Sequence, residues 1–526
     1  MPAIVSGGQP ERAALSTPRR GVATGTKVKS PPAPSPMSRR PYLFAGTLAV
    51  GCAAAYLAHL YTSGGAVRTL EAADAITVPL GRAAADISVR SAVADDNEEN
   101  IRAWRYQLKK RLTQFDPLPT AEVEARLTGH QQSVILPSTS RLVRRYDTNQ
   151  VASNSPIEDY HQQWSLPLAE NGAMDAAGRW LLFGVFDGHS GFQCSRRLAS
   201  ELPKHIDRAL AWAHTGSKDG VLFDAPVVAA VASILETSEA TRVDPALLSD
   251  DPGAEHVIRA ALTKGFITMD TELIEGSLQE AIKHPERMKE ALLPAMAGSC
   301  GLVAALDTTR RQVSVACTGD SRAVLGSLDG STGLWTATPL SADQTAHNVA
   351  ELKRLYAEHP GEERTVISKG RILGSLMPTR AFGDARYKWP ESIQRTIYPS
   401  QFPGRRATPP HYLTPPYVTA TPVVTDRPLS PRDKFIVVAS DGLYDELSNA
   451  EVVQAVAEFW ESRIYAQPDP RFGPVALKDD NAATHLIRKA FGGDDPDVIA
   501  RLLAIPSPNS RRYRDDITVT VIFLNE

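Results

Sequence analysis

From about residue 140 onward the chain alternates short apolar runs with longer amphipathic ones, and several apolar runs stop at an acid. Trp180–Phe186 has the length and content of a fully buried strand, and Asp187-Gly188-His189 follows where it ends. Gly298–Leu306 and Gln312–Cys317 read as a hairpin of buried strands. Thr318–Leu325 adds a strand with Asp320 near its start. Lys434–Ser440 is another buried strand, closed by Asp441-Gly-Leu-Tyr-Asp445, and Arg514-Asp515-Asp516 precedes a terminal strand at Ile517–Phe523. Helical periodicity predicts helices from after Gly191 through Leu210, over Ala254–Glu290 and over Asn449–Trp460. Residues 214–256 read as a surface insertion around a helix at Ala225–Glu239, residues 386–422 as a Pro/Tyr-rich loop, and residues 466–482 as a polar insertion.

The N-terminal part has a different texture. Tyr42–Thr62 is a run of 21 residues without formal charge, the length of a spanning helix, flanked by Arg39 and Arg40. A linker follows, then a helical pattern with Ile101, Trp104, Leu108 and Leu112 on one face and acids before bases, matching the helix dipole. A second short helix is expected after Pro119, capped by Thr120. The domain reading is therefore 1–41 targeting segment, 42–62 transmembrane helix, 63–139 linker and short helices, and 140–526 catalytic domain, with insertions near 214–256 and 386–432.

Composition sharpens this division. Residues 1–41 carry seven basic side chains against Glu11 alone, in the Ser/Thr/Ala/Arg-rich texture of a mitochondrial targeting segment. With a net charge of −3 overall and +6 in that segment, the remainder stands at −9, which argues against nucleic-acid binding. Cys52, Cys194, Cys300 and Cys317 have neither metal-ligand spacing nor the density of a disulfide framework.

The acids carry the chemistry. One Asp-Gly after a strand is ordinarily a turn. Four strand-adjacent acids (Asp187, Asp320, Asp441 and Asp515), with the Glu158-Asp159 pair, point instead to an oxygen-rich site for Mg²⁺ or Mn²⁺. His189 is an acid–base group beside it, since its unperturbed pKa of about 6.5 leaves a usable acid fraction near neutrality.

Glu158-Asp159, Phe186-Asp-Gly-His-Ser-Gly191, Gly298-Ser-Cys-Gly301, Thr318-Gly-Asp-Ser-Arg-Ala323, Arg380-Ala-Phe-Gly-Asp384, Ser440-Asp-Gly-Leu-Tyr-Asp445 and Arg514-Asp-Asp-Ile-Thr-Val519 together resemble the ordered motifs of the type 2C metal-dependent protein Ser/Thr phosphatases. Asn149-Gln150, Asn154–Asp159 and the Pro409–Ala420 loop are most similar to the mitochondrial pyruvate dehydrogenase phosphatase branch.

The resemblance implies an α+β fold: a β-sandwich of two antiparallel sheets flanked by helices, with a dinuclear metal site at one end. It implies that Asp187 bridges two Mg²⁺ or Mn²⁺ ions. Asp441 and Asp515 complete one ion, the Gly188 carbonyl and Glu158 serve the other, and Asp159 acts through a water. Asp320 and Asp445 match acids that hold a third, weaker ion with Asp441. Catalysis would rest on Asp187 and His189: a metal-bridging hydroxide attacks phosphorus and His189 protonates the leaving oxygen. No cysteine nucleophile is implied, so Cys194 is read as structural. Asp384 matches a family acid without a ligand role. Asn154 stands where most relatives carry a phosphate-gripping arginine, and Asp516 where many carry Asn.

The implied substrate is a phosphoserine of the pyruvate dehydrogenase E1α subunit, in mitochondria. The alternatives are other mitochondrial phosphoproteins, or an inactive binding module of the same fold. The Lys/Arg bias before residues 42–62 would put the body in the intermembrane space, which favours other phosphoproteins unless the body is released.

Overall fold

Trp180–Phe186 is buried along its whole length because the two faces of its sheet are both covered. Leu181, Phe183 and Val185 pack with Leu302, Ala304, Val315, Ile436 and Ile522 in the space between two sheets. Leu182 and Phe186 face the other way, against Leu198, Leu202 and Phe266. Those partners lie on the helices Gln193–Thr215 and Val257–Thr271. A strand with both faces buried shows no polar alternation, which is why its sequence reads as one apolar block.

The computed structural model describes residues 76–79, 110–138, 140–167, 179–215, 257–401, 406–464, 479–493 and 495–525. One sheet has the spatial order Ile76–Pro79, Leu334–Pro339, Arg322–Asp329, Asp433–Ala439, Ile517–Leu524, Val143–Val151, Gln132–Ile135. The facing sheet runs Val423–Pro428, Gln312–Thr318, Gly301–Asp307, Trp180–Phe186, Tyr160–Leu166. The paired strands are antiparallel throughout both. On the outer face of the first sheet, Val437, Val519, Val521 and Phe523 cluster with Val456, Phe459, Leu486, Phe491 and Leu503 from three C-terminal helices. The order of layers is helix, sheet, sheet, helix, the α+β sandwich expected.

The first of these three helices, Asn449–Phe459, starts with a capping box. Ser448 Oγ accepts the Glu451 N–H at 3.3 Å, and the Glu451 carboxylate accepts the Ser448 N–H at 2.8 Å.

Several local expectations change. Thr120 is the first residue of its helix rather than its cap, and Pro119 holds the cap position without a side-chain bond. The helical stretch predicted over Ala254–Glu290 is interrupted at His284, whose extended backbone turns the chain into Met288–Met296. Residues 386–422, expected to be a loop, contain part of the helix Ala385–Lys388 and the helix Glu391–Gln401, and the following Val423–Pro428 is an edge strand of the sandwich. The loop reading was drawn by prolines; here Pro390 precedes the first turn of the second helix, where a missing N–H costs nothing. The strand predicted from Thr318 starts at Arg322, because the chain leaves one sheet at Thr318 and enters the other four residues later.

The targeting segment 1–41, the apolar run 42–62 and the helix at Ala225–Glu239 lie outside the described residues. Among the described residues no helix is long and apolar enough to cross a membrane.

Candidate metal centre and active cleft

The site lies where strand ends from both sheets converge. Asp187 follows the last residue of Trp180–Phe186, and its carbonyl accepts the Cys300 N–H at 2.8 Å. The next two residues pair with Gly298–Ser299, which fixes the turn. Gly188 is required by crowding: a Cβ there would stand 2.2 Å from the Glu158 carbonyl oxygen. Ser195 Oγ donates to that same oxygen at 2.5 Å, so the Glu158 backbone is held against the Asp187 turn.

Asp441 opens a short helix after Asp433–Ala439, and Asp515 precedes Ile517–Leu524. Asp320 sits on the crossover between the sheets. One carboxylate oxygen from each of Asp187, Asp320 and Asp441 lies within 4.8 Å of the other two. These three acids, with Asp445, Asp515 and His189, line a single cleft of ≈ 910 Å³.

Burial and mutual repulsion push these carboxyl groups upward. Asp187 and Asp441 rise well above 3.8, first through burial and then through each other's neighbours. For Asp187 the largest charge effect is Asp441; for Asp441 it is Asp320. Asp159 is pushed up to about 8 by burial and the adjacent Asp516, and Asp515 to about 6 by burial. Glu158 is also raised, again by burial. Buried acids in this state call for a positive charge.

The donor atoms fit a hard divalent cation. Asp441 Oδ1 and Asp159 Oδ2 are buried with no hydrogen-bond partner. Both are oxygen, as are all the other candidate ligands, and such a set suits Mg²⁺ or Mn²⁺. Cys300 also lines the cleft, but its Sγ donates to Asp320 Oδ1 at 3.0 Å, and burial pushes its thiol well above the ordinary range. Cys194 is buried and its thiol is likewise raised by burial. Neither offers a thiolate nucleophile.

His189 Nε2 lies 2.7 Å from Asp384 Oδ2. Burial pulls the imidazole pKa down, but the Asp384 carboxylate outweighs it, aided by Asp320 and Glu158, and the net direction is up. The pair depends on Gly298, because a Cβ there would meet His189 Nε2 at 2.0 Å and Asp384 Oδ2 at 2.5 Å. Asp384 is itself held in the left-handed region, at φ 51°, with its N–H donated to Ala297 O at 3.0 Å.

Asp516 has a second positioning role. Its carboxylate accepts the backbone N–H groups of Ser153 at 2.5 Å, Asn154 at 2.8 Å and Glu158 at 2.8 Å, and the Asn154 side-chain amide at 3.1 Å. It therefore shapes the loop that presents Glu158. Asp384 and Asp516 were legible as motif acids; their partners were not, being 195 and 358 residues away.

Sequence reasoning thus named acids that the fold brings together at the cleft: Asp187, Asp320, Asp441, Asp445 and Asp515. Glu158, Asp159 and Gly188 are not among the residues lining it, although the Asp159 charge raises Asp187 and the Glu158 charge raises His189. What the arrangement offers is a carboxylate cluster able to hold a divalent cation, with an imidazole alongside.

Comparison with known proteins agrees. The family profile of protein phosphatase 2C matches residues 258–492. A protein phosphatase 2C homologue of Schizosaccharomyces pombe is 39% identical over 73% of this chain and 80% of its own length. The mitochondrial [pyruvate dehydrogenase [acetyl-transferring]]-phosphatase 1 of Saccharomyces cerevisiae is 33% identical over 78% of this chain and 73% of its own. The human mitochondrial phosphatase 2 of the same name is 34% identical over 76% and 81%. The chain belongs to the protein phosphatase 2C family of metal-dependent protein serine/threonine phosphatases.

Proposed function

We propose that the chain is a mitochondrial phosphatase that hydrolyses a phosphoserine of the pyruvate dehydrogenase E1α subunit. The observation that carries the catalytic part is the convergence of Asp187, Asp320 and Asp441 beside His189 in one cleft. The substrate rests on the relatives that bear the pyruvate dehydrogenase phosphatase name.

In this reading Asp187, Asp441, Asp515, Glu158 and the Gly188 carbonyl would hold two Mg²⁺ or Mn²⁺ ions, Asp159 would act through a water, and Asp320 and Asp445, with Asp441, would hold a third, weaker ion. When bound, the ions supply Lewis-acid polarisation of the phosphoryl group and lower the pKa of water. The rest is the work of side chains. Asp384 orients the His189 ring and favours its charged form, with Nε2–H donated to the carboxylate. Nδ1–H is then the proton available to the departing seryl oxygen, a step worth typically ~10²–10⁴-fold. Asp516 keeps Glu158 aimed at the cleft.

Residues 1–41 act as the targeting segment and 42–62 as a membrane anchor in this reading. The charge bias before the anchor favours a second reading, the same chemistry on other mitochondrial phosphoproteins. Mn²⁺-dependent phosphate release from phosphorylated E1α tests the first; an inactive binding module would release none. Unchanged E1α phosphorylation in cells lacking the gene would eliminate E1α as the substrate.

A further inference from the structure

A seryl phosphate is a dianion, and the cleft described above is walled by acids, so a cation must offset the repulsion at the substrate end. Asn154 offers none: its amide is spent on Glu158 Oε2 at 3.3 Å and Asp516 Oδ2 at 3.1 Å. Among the described residues lining the cleft, the guanidinium groups are Arg322, Arg371 and Arg511. Arg322 is committed. It grips Asp343 with two bonds at 3.0 and 2.6 Å, donates to Asn449 Oδ1 at 2.8 Å, and lies over the Tyr444 ring. Arg371 sits on the short hairpin Ile367–Ser368/Arg371–Ile372 and donates to Ser375 O at 3.1 Å, with no acid of the cluster paired to it among the described residues.

Arg511 is placed differently. It lies on the short turn Ser510–Arg512, which is pinned beside Asn154: buried Ser510 donates its hydroxyl to Ser153 O at 2.6 Å. Its side chain is half exposed and pairs with Asp515. Its charge is also felt at Glu158 and Asp445, lowering both carboxyls against burial. One half-exposed cation thus stands among acids contributed by three separate segments, on a turn bonded to the residue before Asn154. Arg511 and Asp515 both line the cleft, so a divalent ion held by the Asp515 carboxylate would compete with Arg511 for it and would leave the guanidinium available to an anion there.

We propose that Arg511 is the side chain that binds the substrate's phosphate group, as a bidentate donor to its non-bridging oxygens. The proposal rests on the phosphatase reading, deepens it, and assigns Arg511 to binding rather than to proton transfer.

The test uses the full chain with Mn²⁺ and two probes, inorganic phosphate and a phosphoseryl peptide. Arg511→Ala should weaken calorimetric phosphate binding and raise the peptide KM by about tenfold or more, with kcat much less affected. Arg511→Lys should recover only part, since an ammonium cannot replace the fork. Mn²⁺ affinity measured without phosphate should stay the same or tighten, because a competing cation is gone. Unchanged phosphate affinity and KM would overturn the assignment. So would a fall in Mn²⁺ affinity large enough to account for them, transfer of the effect to Arg371→Ala, or no phosphate binding by the parent chain. If the parent binds phosphate through Arg511 but never turns over the peptide, the phosphatase reading fails and the binding assignment stands.

Discussion

Two buried groups of acids in this molecule have opposite electrostatics. Glu351 is 3% exposed and surrounded by donors: Arg354 Nη2 and Arg380 Nη2 at 2.7 Å and Thr379 Oγ1 at 2.7 Å. Burial alone would raise its pKa, but the two guanidinium groups bring it down to about 2. Elsewhere in the fold, Asp187, Asp441 and Asp159 have other acids as neighbours, and all three are raised. The first group is complete within the protein. The second is balanced only when something positive arrives, and that deficit marks the functional site more clearly than burial or acidity alone.

The contrast can be broken at its strongest point. Asp187→Asn removes a carboxylate from the unbalanced group, so phosphate release should fall by more than about a hundredfold, beyond the loss typical of an outer-shell partner. The metal-free variant should nonetheless be at least as stable as its parent, because a repelling charge is gone; thermal unfolding in chelator checks this. A large loss of metal-free stability would mean that Asp187 is structurally satisfied after all.

Glu351→Ala attacks the balanced group: it leaves Arg380 without its acid and Arg354 with Glu358 alone. Breaking such a pair costs about 3–5 kcal/mol, read from denaturant midpoints at unchanged slope. Metal-dependent activity per folded molecule should be largely kept.

Asp384→Asn lies between the two extremes. It keeps the shape of the His189 contact and removes its charge, so kcat should fall by about ten- to a hundredfold. The His189 pKa should move down, because the acid that outweighed burial is gone. In the pH–rate profile the limb assigned to the protonated imidazole should shift to lower pH, a change that a purely structural defect would not produce.

The smallest effect is on pH-dependent stability without metal. Asp515 and Asp159 have folded-state pKa values of about 6 and about 8, above the ordinary 3.8. A raised carboxyl favours the folded state while protonated in both states' reference, below 3.8, and that advantage is lost as pH climbs through the folded pKa. The chelated chain should therefore lose stability between about pH 4 and pH 8. Mn²⁺ at a hundredfold over its dissociation constant should return about 2.7 kcal/mol, with more benefit at pH 8 than at pH 5.

Sequence made the strand-end acids legible because each stands immediately beside an apolar block, a local pattern visible in one short window. The sandwich was legible for the same reason, since both-face burial removes polar alternation from Trp180–Phe186 and Ile517–Leu524. The positioning layer was not. Asp384 acts on His189, Asp516 on Ser153 to Glu158, and Arg380 on Glu351, all through contacts set by the fold. Arg380 and Asp384 stand four residues apart in one motif, yet one completes the balanced group and the other addresses the His189 imidazole. Proline content misled the reading of 386–422, because it signals turns without revealing which prolines begin helices.

The crossover at Asp320 has a consequence for how the protein matures. Asp187 comes from one sheet, Asp441 from the other, and Asp320 from the three residues where the chain passes between them. No single segment carries the full set, so the three-acid cluster exists only once both sheets are in place. Under the proposed function, an ion at this cluster would be taken up only after the two halves of the sandwich had docked, and would then act as a rivet across their seam.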